Sequence, residues 1–276
     1  MSVHQNFERR PKLIASDLDG TIVAHYGAIT QRTIDAFRKA HSMGVEIYFV
    51  TGRPPRWMPE IKEAFGIGGA ICGNGAMLYD LHNDNVLEEW LMPVDAQFET
   101  VKRLRQAIPH VSFAVESHNY FHREKAYIPR WDVGLDNIGV ENIEEVLTSP
   151  ALKILARCSQ QELSSDEMLD IAKIELEGLV TVTHSNPSDS LLEISALGVS
   201  KGMTLAKIAA RHGIEAADCV SFGDNPNDFS MLEWCGRSFA MSDGHPDAQK
   251  YAKGVAAACE EDGVAIIIEQ LLELPA

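Results

Sequence analysis

Two aspartates one residue apart close an apolar run in LIASDLDGTIVA, Leu13 to Ala24, and Gly-Thr follows them at once. Far along the chain, GDNPND puts Asp224 and Asp228 after a second short apolar run. A cluster of carboxylates at one place needs a cation to be tolerable. The chemistry that suits such a cluster is attack on a phosphate ester, because an aspartate nucleophile reaches an anionic substrate only where a divalent metal and positive groups screen the charge. Magnesium takes oxygen ligands and keeps waters, which matches two or three carboxylates with no His or Cys beside them. In that chemistry Asp17 attacks phosphorus to form an aspartyl phosphate, and Asp19 protonates the leaving alcohol and then activates water. Thr51 and Lys201 supply a hydroxyl and a cation to the phosphoryl oxygens. Gly20 allows the chain to curl after Asp17, so that both side chains face one ligand.

These residues need a scaffold that gathers them. Lys12 to Ala15 reads as a buried strand running into DLDGT. TQRTIDAFRKAHSMG then places Ile34 and Phe37 at helical spacing, with Thr30 as N-cap and Gly44 as stop. Val45 to Thr51 is a second strand, and it too ends in a polar loop, TGRPP. Strand, helix, strand is the βαβ unit of a parallel sheet, whose ligands bind at the carboxyl ends of the strands. DLDGT and TGR therefore belong on one sheet edge. The C-terminal third repeats the rhythm: a helix from Lys201 to Gly213 capped by Ser200, the strand CVSFGD, a short helix DFSMLEWCG, a strand SFAMSDG and a last helix GVAIIIEQLLEL. Asp17, Asp19, Asp224 and Asp228 converge at strand ends in this reading.

Between Val86 and Ser190 the pattern shifts to six β-like runs with two helical stretches among them, DAQFETVKRLRQAI and SSDEMLDIAKIELEG. So long an insert is too large for a loop and reads as a second domain within the first. The expected architecture is α/β: a doubly wound parallel-sheet (Rossmann-like) core from 1–85 and 191–276, with an inserted α/β cap domain at 86–190.

Composition excludes several classes. The formal charge of −16 opposes nucleic acid and anionic membranes, and there is no Lys/Arg run to override it. The N-terminus lacks the apolar segment of a signal peptide and no window approaches the ~20 apolar residues of a membrane span, so a cytoplasmic protein is expected. Five cysteines, odd in number and in no CxxC pair, suggest neither disulfides nor a zinc site. The tryptophans Trp57, Trp90, Trp131 and Trp234 lack basic interleaving and read as packing residues. His118 and His122 fall in a β-like run and need no metal, while NIEEVLTSP reads as a solvated helix or loop.

Four motifs in this order, DLDGT, TGR, SKG and GDNPND, resemble those of the haloacid dehalogenase superfamily. ICGNGA and LLEISALGVSKG extend the resemblance to its Cof-type sugar phosphatase branch, with the type IIB cap between the second and third motifs. The resemblance implies Asp17 as nucleophile and magnesium ligand, Asp19 as acid/base that also ligates through its main-chain carbonyl, and Asp224 as metal ligand. It implies Thr51, Gly52, Lys201 and Asn227 around the phosphate, and Asp228 as support behind them. The segment with His25 and Tyr26, and the SALG before VSKG, are less typical of the family.

The expected activity is magnesium-dependent hydrolysis of a small phosphorylated metabolite, a sugar phosphate first and a nucleotide or cofactor phosphate such as flavin mononucleotide second. A phosphomutase with the same aspartyl phosphate, and a non-catalytic binding or regulatory protein on the same fold, are the alternatives. The intact Asp17, Asp19, Lys201 and Asp224 speak against the last. Arg53, Asn74, Arg123, Tyr127, His184 and Asn186 are candidates for substrate contacts by their places near loop or strand ends. Nothing in the sequence speaks to oligomeric state.

Overall fold

The computed structural model describes residues 8–24, 28–118, 120–129, 137–158 and 162–276; His25, Tyr26 and Trp131 lie outside them. The chain forms two compact units. One takes in the described residues of Met1–Arg53, Trp57–Leu87 and Ser200–Ala276, the other those of Pro54–Arg56 and Glu88–Val199. The strands are β1 (Leu13–Ser16), β2 (Glu46–Val50), β3 (Gly69–Cys72), β4 (Met77–Asp80), β5 (Asn85–Glu89), β6 (Val111–Glu116), β7 (Phe121–Arg123), β8 (Lys153–Cys158), β9 (Val180–Thr183), β10 (Leu191–Ala196), β11 (Cys219–Gly223), β12 (Arg237–Met241) and β13 (Gly254–Ala256).

In the first unit, local chemistry sets the helices that flank the sheet. Thr30 sits in extended backbone and its hydroxyl accepts from the Thr33 amide at 3.2 Å, capping the helix Gln31–Ser42; such a cap contributes about 1 kcal/mol. Thr33, Ala36, Phe37 and Ala40 form the buried stripe of that helix, and the Phe37 ring packs against Phe49 and Phe65 with centroids 5.6 and 5.4 Å away. Ser200 caps the helix Lys201–Arg211 in the same way, through the Met203 amide at 3.2 Å.

The first sheet runs β13-β12-β11-β1-β2-β3-β4-β5. Its strands from β13 to β3 are parallel, while β4 pairs antiparallel with β3. The short strands β3, β4 and β13 carry no alternation long enough to be read from sequence. The chain steps outward from β1 through β2 to β3, then returns on the other side of β1 with β11. Strand order therefore reverses between β1 and β11, and a crevice opens at such a switch point beyond the carboxyl ends of the strands. Asp17 directly follows β1, and Asp224 directly follows β11.

The second unit holds the sheet β7-β6-β8-β10-β9, antiparallel in every pairing. Its apolar core joins Phe113, Val115, Ile154, Ala156, Leu192 and Ile194 of the strands to Val101 and Leu104 of the helix Val94–Ala107 and to Met168, Leu169 and Ala172 of the helix Ser165–Glu175. By strand alternation the opposite face carries Ser112 and Glu116, Lys153 and Arg157, and Glu193 and Ser195. Here the structure moves a boundary. The sequence reading placed 191 onward with the first domain, but β10 pairs with both β8 and β9, and its Leu192 and Ile194 complete the second core. NIEEVLTSP is not wholly solvated either: a 3-10 turn spans Ile143–Val146, Ile143 is fully buried, and its amide donates to the buried carboxylate of Glu124 at 2.9 Å.

Of the cysteines, Cys72, Cys158, Cys219 and Cys235 are buried, and none of the five is joined in a disulfide among the described residues. No helix among the described residues is long and apolar enough to cross a membrane.

Candidate active site

The turn after β1 closes on itself. The Leu18 carbonyl accepts from the amides of Thr21, Ile22 and Val23, and the Gly20 amide donates to the Val23 carbonyl at 2.9 Å. Gly20 has a φ of +82°, and a Cβ there would sit 2.5 Å from an Asp224 carboxylate oxygen. The glycine of DLDGT is thus required twice, for the left-handed turn and for the close approach of Asp224.

Around this turn, carboxyl oxygens of Asp17, Asp224 and Asp228 come within 4.8 Å of one another, and all three residues are buried. The Lys201 ammonium is completely buried between two of them, 2.6 Å from Asp17 Oδ1 and 2.6 Å from Asp228 Oδ1. Asp228 Oδ2 accepts from the main-chain amides of Asp224 at 3.0 Å and Asn225 at 3.1 Å. Asp228 is therefore saturated by the protein. Asp224 is more lightly held, by Asn225 Nδ2 at 2.5 Å and Thr21 Oγ1 at 3.4 Å.

Three acids against one base leave an excess of negative charge in a buried place, and the titration behaviour follows. Burial pushes Asp17 up to about 7, with Asp228 adding to the rise and Lys201 opposing it. Burial, then Asp17 and Asp228, push Asp224 well above the usual carboxylate range. Lys201 is held above its ordinary value by the two aspartates, against the effect of burial. The donor set is all oxygen, and its charge is uncompensated. Asp17 and Asp224 fit a hard divalent cation such as magnesium.

Asp19 stands apart from that cluster. Its carboxylate is half exposed and engaged by Arg53, whose Nε and Nη2 lie 2.8 and 2.5 Å from its two oxygens. Arg53 Nη1 also approaches Glu60 at 3.4 Å. In this arrangement the paired guanidinium holds the Asp19 carboxylate, and Arg53 has Asp19 and Glu60 as its partners.

Thr51 is buried at the end of β2, where its hydroxyl accepts from the Arg53 amide at 3.0 Å; Gly52 lies between them. Asn227 is buried beside Asp228, and its Nδ2 donates to Asn74 Oδ1 at 3.2 Å. Asn74 was expected among the substrate contacts, yet only 2% of its surface is exposed. The pairing of Asn74 with Asn227 was not legible, since the two are 153 residues apart.

The remaining candidates belong to the second unit. Arg123 donates to the carbonyls of Glu124, Tyr127 and Asn137 at 3.1, 3.2 and 2.9 Å. Asn186 Oδ1 accepts from the Ser188 amide in a local turn at 2.8 Å. His184 Nε2 meets Asp166 at 2.8 Å, and Tyr127 is buried with the Arg157 guanidinium 5.5 Å over its ring.

Asp17 and Asp224 thus stand on either side of the strand-order reversal, with the buried Lys201 ammonium between the carboxylates of Asp17 and Asp228. The sequence profile of the haloacid dehalogenase-like hydrolases matches residues 14–268, and the chain belongs to that family. It is 26% identical over 275 residues to 5-amino-6-(5-phospho-D-ribitylamino)uracil phosphatase YitU of Bacillus subtilis, covering 97% of this chain and 100% of that one. It is 28% identical over 240 residues to pyridoxal phosphate phosphatase YbhA of Escherichia coli, covering 83% and 87% of the two chains. In fold it is similar to BT4131, described as a HAD subclass IIB sugar phosphatase, with a TM-score of 0.77, 22% identity and coverage of 94% and 98%.

Proposed function

We propose that the chain is a magnesium-dependent phosphatase that hydrolyses a small phosphorylated metabolite through an aspartyl phosphate on Asp17. The observation that carries this reading is the buried set of Asp17, Asp224 and Asp228 around Lys201 at the switch point of the sheet. The family, with relatives named as phosphatases, supports it.

In this reading Asp17 and Asp224 hold the magnesium, with the Asp19 main-chain carbonyl that the family implies. When bound, the ion supplies the positive charge that lets an anionic ester approach carboxylates. Lys201 fixes the Asp17 carboxylate and, with Thr51 and Asn227, faces the phosphoryl oxygens. Asp17 forms a bond to phosphorus as the ester oxygen leaves, and Asp19, once released from Arg53, gives that oxygen a proton. Asp19 then takes a proton from water, whose oxygen attacks phosphorus; phosphate departs and Asp17 is restored. The second unit, inserted between the second and third motifs, acts as the cap that sets which ester is accepted. The substrate is a sugar phosphate or a phosphorylated cofactor-like compound of the kind for which the relatives are named.

The test is inorganic phosphate release from a panel of phosphate monoesters with magnesium, repeated with EDTA. Turnover that EDTA abolishes and magnesium restores is the expected result. No release from any ester overturns the reading, and transfer of phosphate within the substrate without release identifies a mutase.

A further inference from the structure

ICGNGA contributes no acid, base or cation to the cluster, yet its backbone is unusual. Gly73, Asn74 and Gly75 take positive φ in succession, 58°, 57° and 104°, a conformation that costs roughly 1–2 kcal/mol for a residue with a Cβ and is best tolerated by Asn and Asp after Gly. The turn is tied in several directions. The Gly73 amide donates to the Arg53 carbonyl at 3.0 Å and the Asn74 amide to the Thr51 carbonyl at 2.9 Å. Gly75 packs so close to the Lys201 helix that a Cβ there would stand 2.3 Å from the Ser200 carbonyl oxygen, and its own carbonyl accepts from Thr204 Oγ1 at 2.7 Å. The Asn74 side chain reaches a third element, the loop after β11, through Asn227. Asn227 Oδ1 is buried and has no hydrogen-bond partner among the described residues. Nδ2 of this amide carries two hydrogens, of which Asn74 takes one; the second, and not the accepting Oδ1, is the donor suited to a phosphoryl oxygen.

We infer that Asn74 is a positioning residue: from its left-handed backbone it holds the Asn227 amide toward the phosphate, while the turn that carries it locks the Thr51 loop to the start of the Lys201 helix. This rests on the phosphatase reading for the identity of the ligand. It also explains why an asparagine, rather than a third glycine, stands between Gly73 and Gly75. Asn supplies an acceptor and tolerates the backbone.

Asn74→Gly removes the amide and keeps the left-handed backbone accessible. An amide that binds phosphate in ground and transition state alike affects KM more than kcat. The expected result is a KM for p-nitrophenyl phosphate raised about tenfold with kcat within about threefold of wild type, and the same weakening of inorganic phosphate binding by calorimetry with magnesium present. In an Asn227→Ala background the Asn74→Gly change should then have no further effect. A purely structural role lowers kcat in proportion to the folded fraction and leaves KM alone; that outcome, or a full additional effect in the Asn227→Ala background, overturns the inference. Asn74→Asp keeps an acceptor and a side chain suited to the turn, so it should retain more phosphate affinity than Asn74→Ala even though its charge opposes the anion. An Asp variant no better than Ala also overturns it. A wild-type protein that binds phosphate but turns over no ester defeats the phosphatase reading alone, and the calorimetric comparison still judges Asn74.

Discussion

Both units bury charge, and they do so in opposite ways. At the strand ends of the first, Asp17, Asp224 and Asp228 crowd around the single ammonium of Lys201. On the polar face of the second sheet two carboxylates each meet a cation of their own, and buried Arg157 adds a further cation whose Nη1 donates to the Asp189 carbonyl at 3.0 Å. Arg56 Nη1 and Nη2 lie 2.5 and 2.8 Å from the two carboxyl oxygens of Glu116, and Lys153 Nζ lies 2.9 Å from Glu193 Oε1 with both side chains buried. A buried pair that closes its own account of charge asks for nothing more, although desolvation leaves it little net stabilising value. A buried cluster with excess negative charge is destabilised in the absence of a cation, and that stored repulsion is what a metal and a phosphate site can use.

Asp17→Asn should break the comparison most sharply. It removes the attacking charge with little change of shape, so turnover falls by at least about a thousandfold, while the melting temperature in metal-free buffer at pH 8 rises because one of the repelling charges is gone. Loss of activity together with loss of stability would show that the cluster is a structural network like that of the second unit.

In the second unit the same kind of change acts in the other direction. Lys153→Met takes the ammonium away from buried Glu193, which should cost about 3–5 kcal/mol in urea unfolding, whereas Lys153→Met combined with Glu193→Leu should be close to neutral. Phosphatase activity serves as the control that each variant is folded. Equal destabilisation in the single and double variants would mean that the pair carries the stability by itself.

The smallest effect is the pH dependence of metal stabilisation. The folded state raises Asp17 from its ordinary 3.8 to about 7, so its contribution to stability is present below about 3.8 and lost as pH rises through about 7. Magnesium favours the ionised form. The gain in melting temperature on adding magnesium should therefore grow between pH 5 and pH 8, as thermal scans at fixed metal concentration would show; a gain independent of pH would place the ion away from Asp17.

Much of the site was legible because the chemistry is local to short segments. DLDGT, TGR, SKG and GDNPND each sit where an apolar run stops or a helix begins, and the caps Thr30 and Ser200 are written next to the helices they start. The residue types alone argue for an oxygen-rich cation site. What local pattern could not convey is which side chains meet once distant segments are brought together. The pairing of Asp19 with Arg53, the hold of Asn74 on Asn227 and the membership of β10 in the second sheet all join residues far apart in sequence. Hydrophobic periodicity tells each element which face to bury, but it does not name the sheet that Leu192 and Ile194 complete. The charge on a carboxylate is equally a tertiary matter. The sequence determined that Asp17 and Asp228 are acids; only the fold, by withdrawing both from water around Lys201, decided that one is pushed toward neutrality while the other is satisfied by an ammonium and two amides.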